Sequence, residues 1–245
     1  MTVWVSTLPS WASFIALVAF WNVLALLALF LCRRWSVSRG LASGPTVVNS
    51  WATCIGALTA LLFAFTVVTL WNQLIRAEQN VDDESSALRA VARDIVPSQV
   101  ELVRNYAQLT VDEWPLLCGG KPRPEVEASL VLLDRVAEPR AEKYADNLFQ
   151  SLGTLEDLRN RRWQVSTSSM PGEVWTALFV LSCTLLIVLG IAMPDHAGTH
   201  RILMLAVGTA LGTLFWMTIV LQYPYCGSSG IGSDEIGTIL RMHLM

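Results

Sequence analysis

The chain has 245 residues, of which 53% are hydrophobic and only 15% charged, and its 17 basic and 20 acidic side chains leave a net charge of −3. A soluble domain carries roughly 25% charged residues, so this composition points to an integral membrane protein with room for one soluble unit at most. The small net charge and the lack of a basic run exclude nucleic acid as a partner.

Four apolar runs, at residues 11–32, 48–71, 174–193 and 202–222, contain no charged side chain. Each reaches the roughly 20 residues that a bilayer core requires. One Arg or Asp at the centre of such a run would cost roughly 2.5–3.5 kcal/mol on insertion. The first run reads as a retained span, because residues 1–10 hold no basic side chain and Arg33 and Arg34 follow the run. Trp51 and Trp71 bracket the second run about 30 Å apart, one hydrocarbon thickness. The expected fold class is all-α, with four transmembrane helices and a helical-bundle insert between spans two and three. Residues 1–71 and 172–222 form transmembrane hairpins, 72–171 the insert outside the membrane, and 223–245 a C-terminal tail.

Arg33, Arg34 and Arg39 lie in the loop after span one, and Arg201 in the loop after span three. Basic short loops read as cytoplasmic. The insert and both termini then lie outside the cytoplasm, in a multi-pass protein of the plasma (inner) membrane. Arg159, Arg161 and Arg162, close to span three, count for the opposite orientation, but long segments translocate largely regardless of charge. Of five cysteines, Cys32, Cys54 and Cys183 sit in or at spans. Cys118 and Cys226 fall on the same side in any four-span topology. Such a pair suits a disulfide in an oxidising compartment; two unrelated thiols are the alternative.

Within the insert, Val81, Leu88, Val91 and Ile95 recur at helical spacing, so span two is expected to run on as one long helix until Pro97. A second helix carries Val100, Val103, Tyr106 and Leu109 and ends near Glu113-Trp114-Pro115. Cys118 to Pro124 is a turn-rich connector. A short helix over 125–137 and a last one opened by Pro139 complete three or four amphipathic helices that bundle through apolar stripes.

Catalytic chemistry is nearly absent. The chain has three histidines, and no Ser/His/Asp order, phosphate-binding loop or dinucleotide fingerprint. His196 and His200 have metal-ligand spacing, but Pro194 and Gly198 favour an interfacial turn. No enzyme activity, cofactor or metal is expected.

Three features rise above this background. Asp82, Asp83 and Glu84 follow span two by about three turns. They are either a solvated helix face or, if several copies assemble with span two inward, an acidic ring that attracts cations. Span two has a small-residue face (Thr53, Gly56, Ala57, Ala60, Ala64), a repeat at seven (Thr59, Thr66, Gln73) and bulky apolar residues such as Leu62. Close helix packing and a pore with an apolar constriction have the same ingredients, so Thr59, Leu62, Thr66 and Gln73 are the candidate pore residues. In span four, Gly208 and Gly212 form a GxxxG pattern for helix–helix approach.

The order of two spans, helical insert and two spans, with Glu84-Ser-Ser-Ala-Leu88 after span two, Tyr106 followed by Asp112-Glu113-Trp114-Pro115, and Arg159, Arg161 and Arg162 before span three, resembles the bestrophin-like domain family. That resemblance implies kinship with the bestrophin anion channels, which are homopentamers whose second span lines a narrow apolar neck. It implies a homo-oligomeric ion channel with span two as the pore. Bestrophins place their soluble part in the cytoplasm, opposite to the charge reading here, and the acidic triplet suits cations. Glu113, Trp114 and Pro115 read as a structural motif, with Trp114 filling the bundle centre and Pro115 ending the helix. Glu84, Glu113 and the Arg159–Arg162 cluster are expected to pair across insert helices.

Two functions remain. One is an ion channel whose partners are the bilayer and copies of itself. The other is a non-conducting accessory or scaffold protein whose insert binds a membrane-protein partner. A sensor of a soluble ligand is a weaker third.

Overall fold

The computed structural model describes residues 9–39, 45–95, 97–118, 124–137, 142–168, 170–192, 197–226 and 230–241. Among them the regular structure is entirely helical: α1 (Ser10–Arg39), α2 (Pro45–Asp94), a 3₁₀ turn (Pro97–Gln99), α3 (Val100–Leu117), α4 (Pro124–Ala137), α5 (Glu142–Thr167), α6 (Gly172–Ile191), α7 (Ala197–Gln222) and α8 (Asp234–Arg241). Four of these helices are long and apolar enough to cross a bilayer. The chain divides into two compact units, an apolar one of residues 1–71 and 169–222 and a polar one of residues 72–168 and 223–245.

In the apolar unit, α1 packs against α6 and α7. Trp21 stacks on Phe215 with ring centroids 4.7 Å apart, and Phe63 meets the same ring edge-on at 5.2 Å. Trp21, Phe63, Leu178, Leu186 and Met204 are fully buried around them. The outward side chains, including Ile15, Val23, Phe30, Leu58, Phe65, Val180 and Ile202, are apolar and exposed. That is the pattern of a bundle facing lipid, where association rests on packing and small residues. Asn22, within span one, is accommodated by donating to the Val18 carbonyl at 2.9 Å and to the Thr209 hydroxyl at 3.1 Å.

The GxxxG residues of α7 lie against α1. A Cβ on Gly208 would stand 3.1 Å from the Asn22 Cα, and one on Gly212 only 2.7 Å from the Val18 Cα. These neighbours are backbone and cannot move without parting the helices. Gly212→Ala is therefore expected to destabilise the protein by roughly 1–3 kcal/mol despite alanine's better helix propensity. Gly198→Ala, in open space, should be neutral or stabilising. Melting curves in detergent decide the matter, and equal behaviour of the two variants contradicts the packing argument.

The polar unit begins within α2, a helix of 50 residues with no break at the end of its apolar stretch. No Pro or Gly interrupts residues 57–94. Its core joins Ala77, Val81, Leu88 and Val91 of α2 to Val103 and Tyr106 of α3, Val126 and Leu133 of α4, and Leu148 and Leu155 of α5. Pro115 lies inside α3, which continues to Leu117; the missing N–H forfeits one ladder bond in the last turn, and the helix does not stop where the sequence predicts. Pro139 lies outside the described residues.

The segment expected to be a tail folds into this unit. Tyr225, Ile236 and Ile239 are buried in the same core, and α8 packs against α3. A disulfide joins Cys118, at the end of α3, to Cys226, with Cα atoms 5.4 Å apart across a sequence separation of 108.

Candidate functional site

α2 carries the two candidate features, an outward stripe and an inward charge. Ala57, Leu61, Ala64, Val68, Ile75 and Asp82 recur at three- and four-residue or multiple spacings and are all exposed. At 3.6 residues per turn Ala57, Leu61, Ala64 and Val68 share one face within the apolar unit, and Ile75 and Asp82 share one within the polar unit. The stripe changes along its length from small and apolar to polar, with Asn72 and Gln79 also exposed before Asp82 and Asp83. Thr59 and Thr66 lie elsewhere on the helix and are buried. Their hydroxyls donate to the Ile55 and Leu62 carbonyls at 2.7 and 2.9 Å. Leu62 and Gln73 are half-buried.

The third acid of the triplet points the other way. Asp82 and Asp83 are exposed, whereas Glu84 is fully buried. A shift of one or two residues rotates a helical side chain by 100° or 200°, so consecutive acids need not share a face. Glu84 meets Arg162 of α5, whose Nη1 lies 2.9 Å from its Oε2. That contact is an ion pair off hydrogen-bond alignment. Arg162 Nη2 also donates to Glu113 of α3 at 3.4 Å. Arg159 Nη2 stands 3.9 Å from the other Glu113 oxygen. The Tyr106 hydroxyl donates to Glu84 at 3.4 Å.

Three helices thus converge on one guanidinium that is 1% exposed. Trp114 closes the cluster: Arg162 lies 5.0 Å over its ring, a cation–π distance. Its indole N–H donates to the Ile231 carbonyl at 2.8 Å, and Tyr225 packs edge-on at 5.8 Å. Pro115 is exposed and takes no part. Arg161 points outward and pairs at 2.6 Å with Asp157 on its own helix.

Burial pushes the Glu84 carboxyl above the usual carboxylate range; Arg162, Arg159 and the Tyr106 hydroxyl pull it back without cancelling the shift. Burial, and then the neighbouring Glu84, raise the Tyr106 phenol in turn. A raised carboxyl contributes stability that is full below its unfolded value and is lost as pH rises through the folded value. The stability gap between the native chain and Glu84→Gln should therefore narrow as pH rises from the ordinary carboxylate range. Melting curves taken upward from that range check it, and a gap that widens with pH contradicts it.

Sequence reasoning missed α8 and the Ile231 carbonyl beneath Trp114. Ile236, Ile239 and Leu240 at helical spacing were the available signal. His196 lies outside the described residues; His200 is buried, with Nε2 2.9 Å from the Leu189 carbonyl. No cluster of metal-ligating side chains occurs among the described residues.

The fold has close counterparts among solved structures. A crystal structure of a bacterial bestrophin homologue from Klebsiella pneumoniae, phased on zinc, superposes with a TM-score of 0.73 at 12% identity, covering 93% of this chain and 96% of that one. A singly substituted form of that homologue gives 0.71 at 14% identity, covering 93% and 98%. No curated protein matches the chain. The bestrophin-like domain model matches residues 19–236. With most of its length matched in this way, the chain belongs to the bestrophin-like domain family.

Proposed function

We propose that this protein is a homo-oligomeric ion channel whose pore is lined by the exposed stripe of α2. The observation that carries this reading is the stripe itself, which combines small and apolar side chains through the span with exposed Asp82 and Asp83 beyond it. An apolar constriction followed by an acidic mouth is the arrangement of a cation pathway. Assembly around α2 would place one such stripe from each copy on a common axis. Family membership supports the reading. Thr59 and Thr66 would then hold α2 to its own protomer, with Leu62 and Gln73 at the border.

We also infer that the polar unit and both termini lie outside the cytoplasm. The disulfide between Cys118 and Cys226 supports that side, as do the arginines of the short loops.

The test is conductance of purified protein in planar bilayers. Ala64→Cys, in a background with Cys54→Ser, should conduct until a bulky thiol reagent blocks it. Asp82→Asn with Asp83→Asn should move the reversal potential in a salt gradient toward zero. Conductance untouched by both treatments contradicts the α2 pore. Exposed Leu116 and Leu132 on the polar unit favour a second reading, a non-conducting accessory protein that docks a membrane partner. It predicts no current and stable co-purification of that partner.

A further inference from the structure

A cavity of about 300 Å³ opens between α4 and α5 in the polar unit. Leu130 and Leu152 form an apolar floor and are nearly fully buried. Glu127 and Glu156 stand exposed at its wall, and Arg159 lines it as well. Arg159 is the least engaged member of the buried charge cluster. Its contact with Glu113 is 3.9 Å, with its side chain 11% exposed, and its Nε is buried without a hydrogen-bond partner among the described residues. The part of this guanidinium that lines the cavity can take a carboxylate through a charge-assisted N–H donor.

Gly153 also faces the cavity. It stands within α5, where glycine weakens a helix relative to alanine. Nothing lies within 4 Å of a Cβ built there, so no close packing requires it. What its missing side chain leaves is room in the cavity wall.

We propose that this cavity binds a small zwitterionic amino acid with an apolar side chain. The arginine takes the carboxylate. Glu127 and Glu156 take the ammonium, and they would repel a plain carboxylate that lacked one. The leucine floor takes the side chain. The volume is at the small end of the range for ligand sites, which excludes large amphiphiles. The site is separate from the α2 stripe, so its occupancy is measured without reference to conduction.

Calorimetric titration of the full chain in detergent tests the proposal with three probes: L-leucine, 4-methylpentanoate, which lacks the ammonium, and 3-methylbutylamine, which lacks the carboxylate. L-leucine should bind, and both truncated probes should bind about tenfold more weakly or worse, the loss of one charge-assisted contact. Arg159→Gln should weaken L-leucine by a similar factor. Gly153→Leu adds bulk at the cavity wall from a position where a Cβ meets nothing within 4 Å; it should keep the native melting temperature and abolish binding, which keeps the test decisive if Arg159→Gln fails to fold. Absence of L-leucine binding overturns the proposal. So does equal binding of 3-methylbutylamine, or L-leucine binding that survives Gly153→Leu.

Discussion

Replacing Arg162 with methionine is expected to destabilise the polar unit strongly, because methionine keeps much of the aliphatic bulk and removes the charge that two buried carboxylates share. Glu84 and Glu113 are 0% and 2% exposed, and Arg162 is their common partner at 2.9 and 3.4 Å. Removing one member of a buried ion pair leaves an uncompensated charge and costs roughly 3–5 kcal/mol. In a unit of this size that lowers the melting temperature on the order of 10–20 °C. The loss should be strongly non-additive: adding Glu84→Gln and Glu113→Gln to Arg162→Met removes the stranded carboxyls and should restore part of the stability. Arg161→Met, on an exposed pair within one helix, should change stability by about 0.5 kcal/mol or less. Thermal unfolding followed by circular dichroism checks all four proteins. Equal effects of the Arg161 and Arg162 substitutions contradict the central place given to Arg162.

Loss of the disulfide is expected to be nearly as costly. Cys118 and Cys226 close a loop of 108 residues in sequence, and a bond across so long a loop removes much freedom from the unfolded chain. Cys118→Ser should destabilise the polar unit by roughly 2–5 kcal/mol. The bond fixes the segment after α7 beside the end of α3, the segment that supplies the Ile231 acceptor for Trp114. The single substitution should therefore also release Trp114 from its site, seen as a red shift of its fluorescence in a background where the other indoles are replaced. The apolar unit does not contain the bond, and the packing of Gly212 on α1 should be unaffected. A native melting temperature in Cys118→Ser contradicts this account.

How much of this was legible in the sequence follows from the physics of each signal. The four long helices were legible because length and absence of charge are decisive in a bilayer. The run of span two into a long helix was legible because nothing along it breaks a helix. The disulfide partners were legible as a pair because topology left two thiols on one side. The direction a helical stripe faces was not. Thr59, Thr66 and Gln73 repeat as a lining would, yet a threonine in a helix can satisfy its hydroxyl on its own carbonyls and then pack among apolar side chains, as Thr59 and Thr66 do. Spacing defines a stripe; its rotation depends on the neighbours it meets. Glu84 shows the same limit, since three adjacent acids read as one patch until Arg162, 78 positions away in numbering, draws one of them inward. The helix α8 was hidden by its shortness and by the glycines and serines before it.

The ion-pair cluster and the outward stripe are two sides of one helix. Glu84 ties α2 to α3 and α5 through Arg162, and Asp82 and Asp83, two and one residues earlier, remain exposed.

The most direct measurement is electron microscopy of the purified protein in lipid nanodiscs at a resolution that identifies helices. The account predicts a closed ring of identical subunits, with α2 nearest the central axis and Ala57, Ala64 and Val68 turned toward it. A monomer, or a ring whose axis is filled with lipid while α2 lies at the periphery, contradicts it.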